Sequence, residues 1–276
     1  MFRILYRVLN KLGLLRFLNF EAPNKVNEVT FLIPLQGGVG GDNLFEKEIW
    51  MNLILKRILS LKLNSTFVDV GVNLGQTLLK VKSLSTEIPY VGFEPNAVCV
   101  AYIEKLVKVN SLRHVTILPV GISDFDGQSV LYHALDNRTD SSASIVREFR
   151  DVSNLAQKVI VTFSSNLLSF IGNSTLGVIK IDVEGAELEV IRNLKPFVER
   201  DRPFIICEIL PVYSNDNTFR LDRQKQLIDI ITSLNYQIHR ISKNGDLILL
   251  SEIGIHNRIE DSNYLFVPIE LTSAIK

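Results

Sequence analysis

FVDVGVNLGQ, residues 67–76, is the stretch on which the fold turns. An apolar run of strand length, residues 66–70, carries Asp69 near its end and passes directly into a turn with Gly71 and Gly75. Helical spacing resumes near residues 75–84. Glycine lets a backbone turn tightly and approach a ligand closely. In an open α/β sheet, ligands bind beyond the carboxyl ends of the strands, so this junction is a candidate binding turn. A pyrophosphate-binding turn would read G-x-G-x-x-G. Here Asn73 stands at the middle position and no third glycine follows where that pattern needs one, which argues against a dinucleotide.

Outward from this turn, strand-like and helical runs alternate. A helix over residues 44–60, preceded by the glycine-rich run QGGVGGDN at 36–43, leads into the strand at 66–70. Then come a strand at 90–93, a helix near 96–109 and a strand at 115–120. Such alternation predicts βαβ units and a parallel sheet. After Gly121 the pattern changes: residues 129–134 read as an added strand, and LDNRTDSSAS at 135–144 as a polar loop, together an insertion near 128–158 over the site. A strand at 159–163 and a short helix near 165–171 return the chain to a strand at 177–181 and a helix from 185 to 194. A strand at 203–209, a helix at 221–234 and closing strands at 236–241, 247–250 and 264–267 follow, with Asn244-Gly245 as a hairpin turn between two of them. The expected architecture is α/β: a mainly parallel central sheet with helices on both faces, antiparallel closing strands and an N-terminal helical extension over residues 1–62.

Four strand tips concentrate the chemistry. The first supplies Asp69, Gly71, Asn73 and Gly75, with Gln76 and Thr77 opening the helix. The second ends in Glu94-Pro95, nineteen residues beyond Gly75, where a carboxylate can accept both hydroxyls of a ribose. Glycine turn and strand-end Glu at this spacing point to a nucleoside cofactor. The third, at Gly121-Ile122, offers backbone and an aliphatic side chain for a base to lie against. The fourth, GVIKIDVEGAE at 177–187, runs from a buried strand into a helix and sets Asp182, Glu184 and Glu187 around the junction. Glu184 and Glu187 also suit the positive end of the following helix. Lys180 is unusual in a strand covered on both faces and needs a counter-charge. Glu208, near the end of the next strand, is the expected partner.

Composition limits the alternatives. The chain has 276 residues, 46% hydrophobic, enough for one α/β domain with additions. Thirty basic and thirty acidic residues balance, and the main body lacks the clustered cations with interleaved aromatics of a nucleic-acid footprint, so no nucleic-acid partner is expected. Cys99 and Cys207 suggest no disulfide framework and fit a reducing cytoplasm. His114, His133, His239 and His256 show no zinc-ligand spacing, and no metal is assigned. MFRILYRVLNKLGLLRFLNF at the N-terminus has Arg3, Arg7, Lys11 and Arg16 and no acid before Glu21, too interrupted for a spanning helix or a signal peptide. Ile4, Leu5, Val8, Leu9, Leu12 and Leu15 recur at helical spacing, a basic amphipathic helix. It reads either as a domain cap or homodimer contact, or as a peripheral membrane-surface helix.

DVGVNLGQ, GFEPNA at 92–97, PVGISDFDG at 119–127, IKIDVEGAELEV at 179–190 and the strand ending in Glu208 together resemble the FkbM family of S-adenosylmethionine-dependent methyltransferases, over about residues 67–210. Val72 stands where the family pattern has Ala. The resemblance implies a Rossmann-like class I methyltransferase domain, here 63–270, and S-adenosylmethionine as cofactor. It places Asp69 and Gly71 near the methionine portion, Glu94 on the ribose and Gly121-Ile122 near the adenine. It also implies O-methylation of a sugar, glycan precursor or natural product. Methyl transfer from a sulfonium is an in-line displacement that depends on positioning, and a hydroxyl acceptor gains from a base. Asp182, Glu184 and Glu208 are the candidate catalytic carboxylates, Asp182 also lying near the cofactor, with His133 as a lesser candidate base. From the insertion, Ser142 and Ser144, with Ser141, are expected to donate hydrogen bonds to a polar acceptor, and Arg138, with Arg147, to meet an anionic portion of it such as a nucleotide-sugar phosphate. Two other readings compete: a nicotinamide-dependent oxidoreductase or nucleotide-sugar-modifying enzyme, and a cofactor-binding scaffold without catalysis.

Overall fold

A computed structural model describes residues 2–45, 48–62, 64–149, 155–164 and 174–275. After helix α1 (Phe2–Lys11) come strands β1 (Asn19–Val26) and β2 (Val29–Gln36), paired antiparallel as a hairpin, and helix α2 (Ile49–Leu61). The alternating core follows: β3 (Thr66–Val70), α3 (Gln76–Leu84), β4 (Tyr90–Phe93), α4 (Ala97–Val109) and β5 (Val115–Leu118). Next come β6 (Gly121–Ile122), β7 (Gly127–Ala134) and β8 (Leu155–Phe163), the last two running through the two ends of the expected insertion. The chain then returns through β9 (Leu176–Ile181), α5 (Glu187–Asp201), β10 (Phe204–Glu208) and α6 (Thr218–Ser233), and closes with β11 (Tyr236–Ile241), β12 (Leu247–Leu250) and β13 (Asn263–Pro268).

The main sheet has eight strands in the order β5-β4-β3-β9-β10-β13-β11-β12. β5, β4, β3, β9 and β10 are parallel, while β13, β11 and β12 are joined by antiparallel pairings. The order turns back at β3, so the tips of β3, β4 and β9 bound one crevice, the place where open α/β sheets bind ligands. Both faces are covered, as apolar parallel strands require. Val68, Ile179 and Ile205 pack with Ile191 and Leu194 of α5 and Ile231 of α6. Phe67, Val178 and Ile206 pack on the other face with Ile54 and Ile58 of α2, Val81 of α3 and Ile103 of α4. Residues two apart in a strand share a face. Asp69, Lys180 and Glu208 therefore follow Phe67, Val178 and Ile206 onto the α2-α3-α4 side.

Two expectations change in detail, and a third is not tested. The N-terminal extension is not helical throughout, since β1 and β2 interrupt it. The strand expected over 115–120 stops at Leu118, because Pro119 has no N–H to give a ladder; the chain resumes as β6, parallel to β8, in a three-stranded sheet β6-β8-β7. The short helix expected near 165–171 lies outside the described residues. Among the described residues no helix is long and apolar enough to cross a membrane.

Candidate functional site

The carboxyl ends of the parallel strands open into a cavity of about 380 Å³, within the usual range for a cofactor or small-ligand site. Its floor follows from the turn after β3. Gly71 has φ +88°, and a Cβ there would collide with the Asp182 carbonyl. Only glycine lets the β3 turn and the β9 tip touch, with Asp182 N donating to Val70 O at 3.0 Å. Gly75, φ +81°, starts α3 in the left-handed conformation. Asn73 also takes a positive φ, 49°, one that Asn tolerates better than most residues.

Glu94 ties that turn to the tip of β4. One carboxylate oxygen accepts from Asn73 N at 2.7 Å and the other from Asn96 N at 2.8 Å. Burial pushes the Glu94 carboxyl up to about 7, against the pull of these two N–H donors. Each oxygen of a carboxylate has two lone pairs, so both keep one for a further donor. That leaves an acceptor for each hydroxyl of a ribose.

Under the floor lies a charged cluster. Asp69 and Lys180 are directly opposite in the β3-β9 register, with Lys180 Nζ 3.4 Å from Asp69 Oδ1 and 3.1 Å from Asp182 Oδ2. The same ammonium donates to Gly71 O at 3.1 Å. Tyr90, stacked on Phe67 with ring centroids 5.6 Å apart, donates its hydroxyl to Asp69 Oδ2. Burial disfavours the Lys180 cation, but Asp182 and Asp69 outweigh it and hold its pKa above the ordinary value. Burial also raises the Asp69 pKa, an effect that Lys180 and the Tyr90 hydroxyl offset only in part. The expected Lys180-Glu208 pair is corrected here: both side chains belong to the same sheet face, yet the lysine is taken by Asp69 and Asp182.

Glu208 instead accepts from Ser262 Oγ at 2.9 Å. Burial, reinforced by the charges of Asp182 and Glu184, raises its pKa to about 9. The unfolded chain releases this proton near 4.5, so between those values the folded state binds more protons and stability falls as pH rises. Glu208→Gln, which can still accept from Ser262, is expected to flatten that dependence. By differential scanning calorimetry of the cofactor-free protein, the variant should melt above the parent at pH 9, the gap closing toward pH 5. Parallel pH profiles for the two proteins would sink this assignment.

The cavity gathers most of the residues singled out in the sequence. Gly71, Asn73, Gln76, Thr77, Glu94, Pro95, Gly121 and Ile122 line it together with Asp182, Glu184 and Glu208. Glu184 takes a left-handed φ of 54° just before Gly185. Others fall elsewhere. Asp69 is completely buried beneath the floor and reaches the cavity only through Lys180. Gly75 sits behind the wall against Leu106. Glu187 turns back to accept from Gly185 N at 2.8 Å, the helix-start role. Three expected acceptor contacts are also not among the lining residues. Arg138 is exposed and gives its backbone carbonyl to Asn96 Nδ2, Ser142 N donates to Asp140, and buried Ser144 uses its hydroxyl to accept from Val146 N. His133 and Arg147 are likewise absent from the lining, whereas Ser141 belongs to it.

Several lining residues had no advance signal. Asp140 accepts from Ala134 N and Ser142 N and shapes the insertion loop that forms one wall. Asp42 and Glu48 come from the N-terminal extension, Glu48 pairing with Lys80 Nζ at 2.9 Å. The run QGGVGGDN offered the one hint, since glycines beside Asp42 permit close packing, but it reads equally as a flexible connection.

The model of the methyltransferase FkbM domain matches residues 69–238. The chain belongs to the FkbM methyltransferase family. The β3 turn, the Glu94 oxygens and the carboxylate-lined cavity fit S-adenosylmethionine, the methyl donor that the sequence resemblance implies. Among solved structures, the chain is similar to the methyltransferase FkbM of Methylobacillus flagellatus KT, with 15% identity and TM-score 0.48 over 74% of this chain and 43% of the other. The chain thus spans less than half the length of that protein. It is also similar to Aeropyrum pernix fibrillarin in complex with natively bound S-adenosylmethionine, with 11% identity and TM-score 0.43 over 89% and 81% of the two chains. A third is the precorrin-6y C5,15-methyltransferase of Geobacter metallireducens GS-15, with 10% identity and TM-score 0.39 over 80% and 87%. Among curated proteins none matches the sequence.

Proposed function

We propose that this FkbM-family protein is an O-methyltransferase acting on an uncharged, hydroxyl-rich acceptor of the sugar or glycan-precursor class. The charge of the cavity wall carries this reading. Asp42, Glu48, Glu94, Asp140, Asp182 and Glu184 line it, with Glu208 beside them in its protonated form, against one cation, Lys180, and no arginine or histidine among the described lining residues. Such a wall complements a sulfonium cation. It repels a phosphate, a uronate or a nucleic-acid backbone, whose recognition draws on Arg and Lys.

S-adenosylmethionine supplies, when bound, a methyl group already activated by its sulfonium. The protein's share is to bind, to orient and to handle one proton. Glu94 offers its spare lone pairs to ribose hydroxyls. Lys180 fixes the Asp182 carboxylate at 3.1 Å and, through Gly71 O, the turn beneath the donor. Asp182, about a third exposed beside the cavity, is the base that takes the acceptor proton as the oxygen attacks. Glu208, protonated at neutral pH, donates a hydrogen bond that orients a second acceptor oxygen.

The test uses the full chain and methyl-labelled S-adenosylmethionine with three acceptor panels: neutral saccharides and polyols, sugar phosphates and nucleotide sugars, and amines. Label on an oxygen of neutral acceptors is the expected result. Preference for the phosphorylated panel, label on nitrogen, or no transfer despite calorimetric binding of S-adenosylhomocysteine would overturn the proposal, the last outcome favouring a non-catalytic scaffold.

A further inference from the structure

The first twenty residues carry Arg3, Arg7, Lys11 and Arg16 and no acid. The whole chain balances thirty cations with thirty acids, so the remainder has the matching acidic excess. The molecule is therefore polarised, with its positive end in one short segment.

Structure adds a second, independent feature at the same end. Tyr6 of α1 rests against Gly41 and packs edge-on to Phe45, with ring centroids 5.8 Å apart. Leu15, in the short helical turn after α1, is buried beside Gly38. These contacts hold the segment on the domain, yet most of its described apolar side chains face outward. Val8 is 50% exposed, Leu12 64%, Leu14 42% and Phe17 71%. Of the helical stripe that the spacing predicts, Leu15 is covered by the domain, while Val8 and Leu12 are not. The cations lie among these residues: Arg7 over the Phe45 ring at 5.2 Å and Arg16 over the Phe17 ring at 4.7 Å. Large apolar side chains interleaved with Lys and Arg are the pattern of a segment lying in a membrane interface.

We propose that α1 and the turn through Leu18 dock the protein onto an anionic lipid surface, with Leu12, Leu14 and Phe17 entering the headgroup boundary and Arg7, Lys11 and Arg16 meeting acidic headgroups. A second copy of the chain is the weaker occupant. A two-fold contact sets the same patch against itself, and here that would bring two sets of like charges together. Lipid phosphates neutralise the same cations. The docked segment lies close to the cavity wall, because Gly41, under Tyr6, immediately precedes Asp42. The inference stands apart from the methyl acceptor's identity.

The experiment is flotation of the full chain with vesicles of phosphatidylglycerol and phosphatidylcholine in equal parts, and with pure phosphatidylcholine. The protein should float with the mixed vesicles only, and less at high salt. Lys11→Glu with Arg16→Glu should weaken partitioning at least twentyfold, from about fivefold for each cation lost near the surface. Leu12→Ser with Phe17→Ser should lower it by roughly tenfold or more, from the apolar surface no longer buried. All four positions are exposed or stack only locally, so both variants should keep the parent's circular dichroism and melting temperature; the charge pair serves alone if the apolar pair misfolds. Failure to float with mixed vesicles, equal flotation by parent and variants, or a parent dimer that either variant converts to monomer without vesicle binding would overturn the proposal.

Discussion

Lys180→Met is expected to cost the folded protein about 3–5 kcal/mol, the usual consequence of removing one partner from a buried ion pair. Methionine fills much of the lysine's volume, so the loss is electrostatic rather than a cavity effect. Asp69 is wholly buried, and without Lys180 its remaining side-chain donor among the described residues is the Tyr90 hydroxyl. Asp182 loses the ammonium 3.1 Å away, and Gly71 O loses its donor. Urea denaturation of parent and variant measures the difference. Adding Asp69→Asn to Lys180→Met should restore a large part of the loss, because the stranded charge is then gone, and the double-mutant cycle reports the coupling directly. The pH dependence supplies its own sign check. Asp69 already has a raised pKa in the folded state, and removing Lys180 raises it further, so the variant's folded form binds a proton that the unfolded chain has released. Its deficit should therefore shrink as pH falls toward the ordinary aspartate value of about 4. A loss below about 1 kcal/mol, or a deficit independent of pH, would remove the cluster from its structural role.

The same cluster marks where sequence reading reaches its limit. Asp69, Glu94 and Asp182 are visible as strand-tip carboxylates because each follows a short apolar run, and an apolar run followed by a polar turn depends only on local order. Partnership does not. Sequence order pairs Lys180 with Glu208 because the two lie on consecutive strands, whereas the register sets Lys180 opposite Asp69 on one side and Ile206 on the other. Lateral order in a parallel sheet comes from crossover connections, which a local pattern does not contain. The β1-β2 hairpin escaped for another reason. Its inward positions include Ala22 and Asn24, the latter donating to Asn43 O at 2.8 Å, and Pro23 and Pro34 interrupt the strands. A small and a polar residue at inward sites erase the two-residue apolar period that announces a strand. In the insertion, the hydroxyl-rich loop drew notice to Ser142 and Ser144, but its shape rests on Asp140, whose oxygens accept two backbone N–H groups. Serines there answer to the loop's own hydrogen bonds before they answer to a substrate.

Asp182→Asn is expected to lower kcat by about 10²- to 10⁴-fold, the range for a positioned general base, while the affinity for S-adenosylhomocysteine changes by less than about tenfold. The amide preserves size and can still accept from Lys180 through its carbonyl, so the floor built by Gly71 and the Asp182 backbone should persist. What it cannot do is take the acceptor's proton. The separation matters because Asp182 lies near both donor and acceptor: a residue that only holds the cofactor would lose binding, whereas a base loses turnover with binding kept. Glu184→Gln and Glu208→Gln are the comparisons, since both carboxyl groups line the same cavity. Glu208 carries its proton up to about pH 9 and so is a poor base at neutrality; its glutamine variant should retain most of the turnover that Asp182→Asn abolishes. If Glu184→Gln gives the deeper loss in kcat, the proton goes to Glu184. If Asp182→Asn instead weakens cofactor binding in proportion to its loss of activity, Asp182 is a cofactor ligand and not the base.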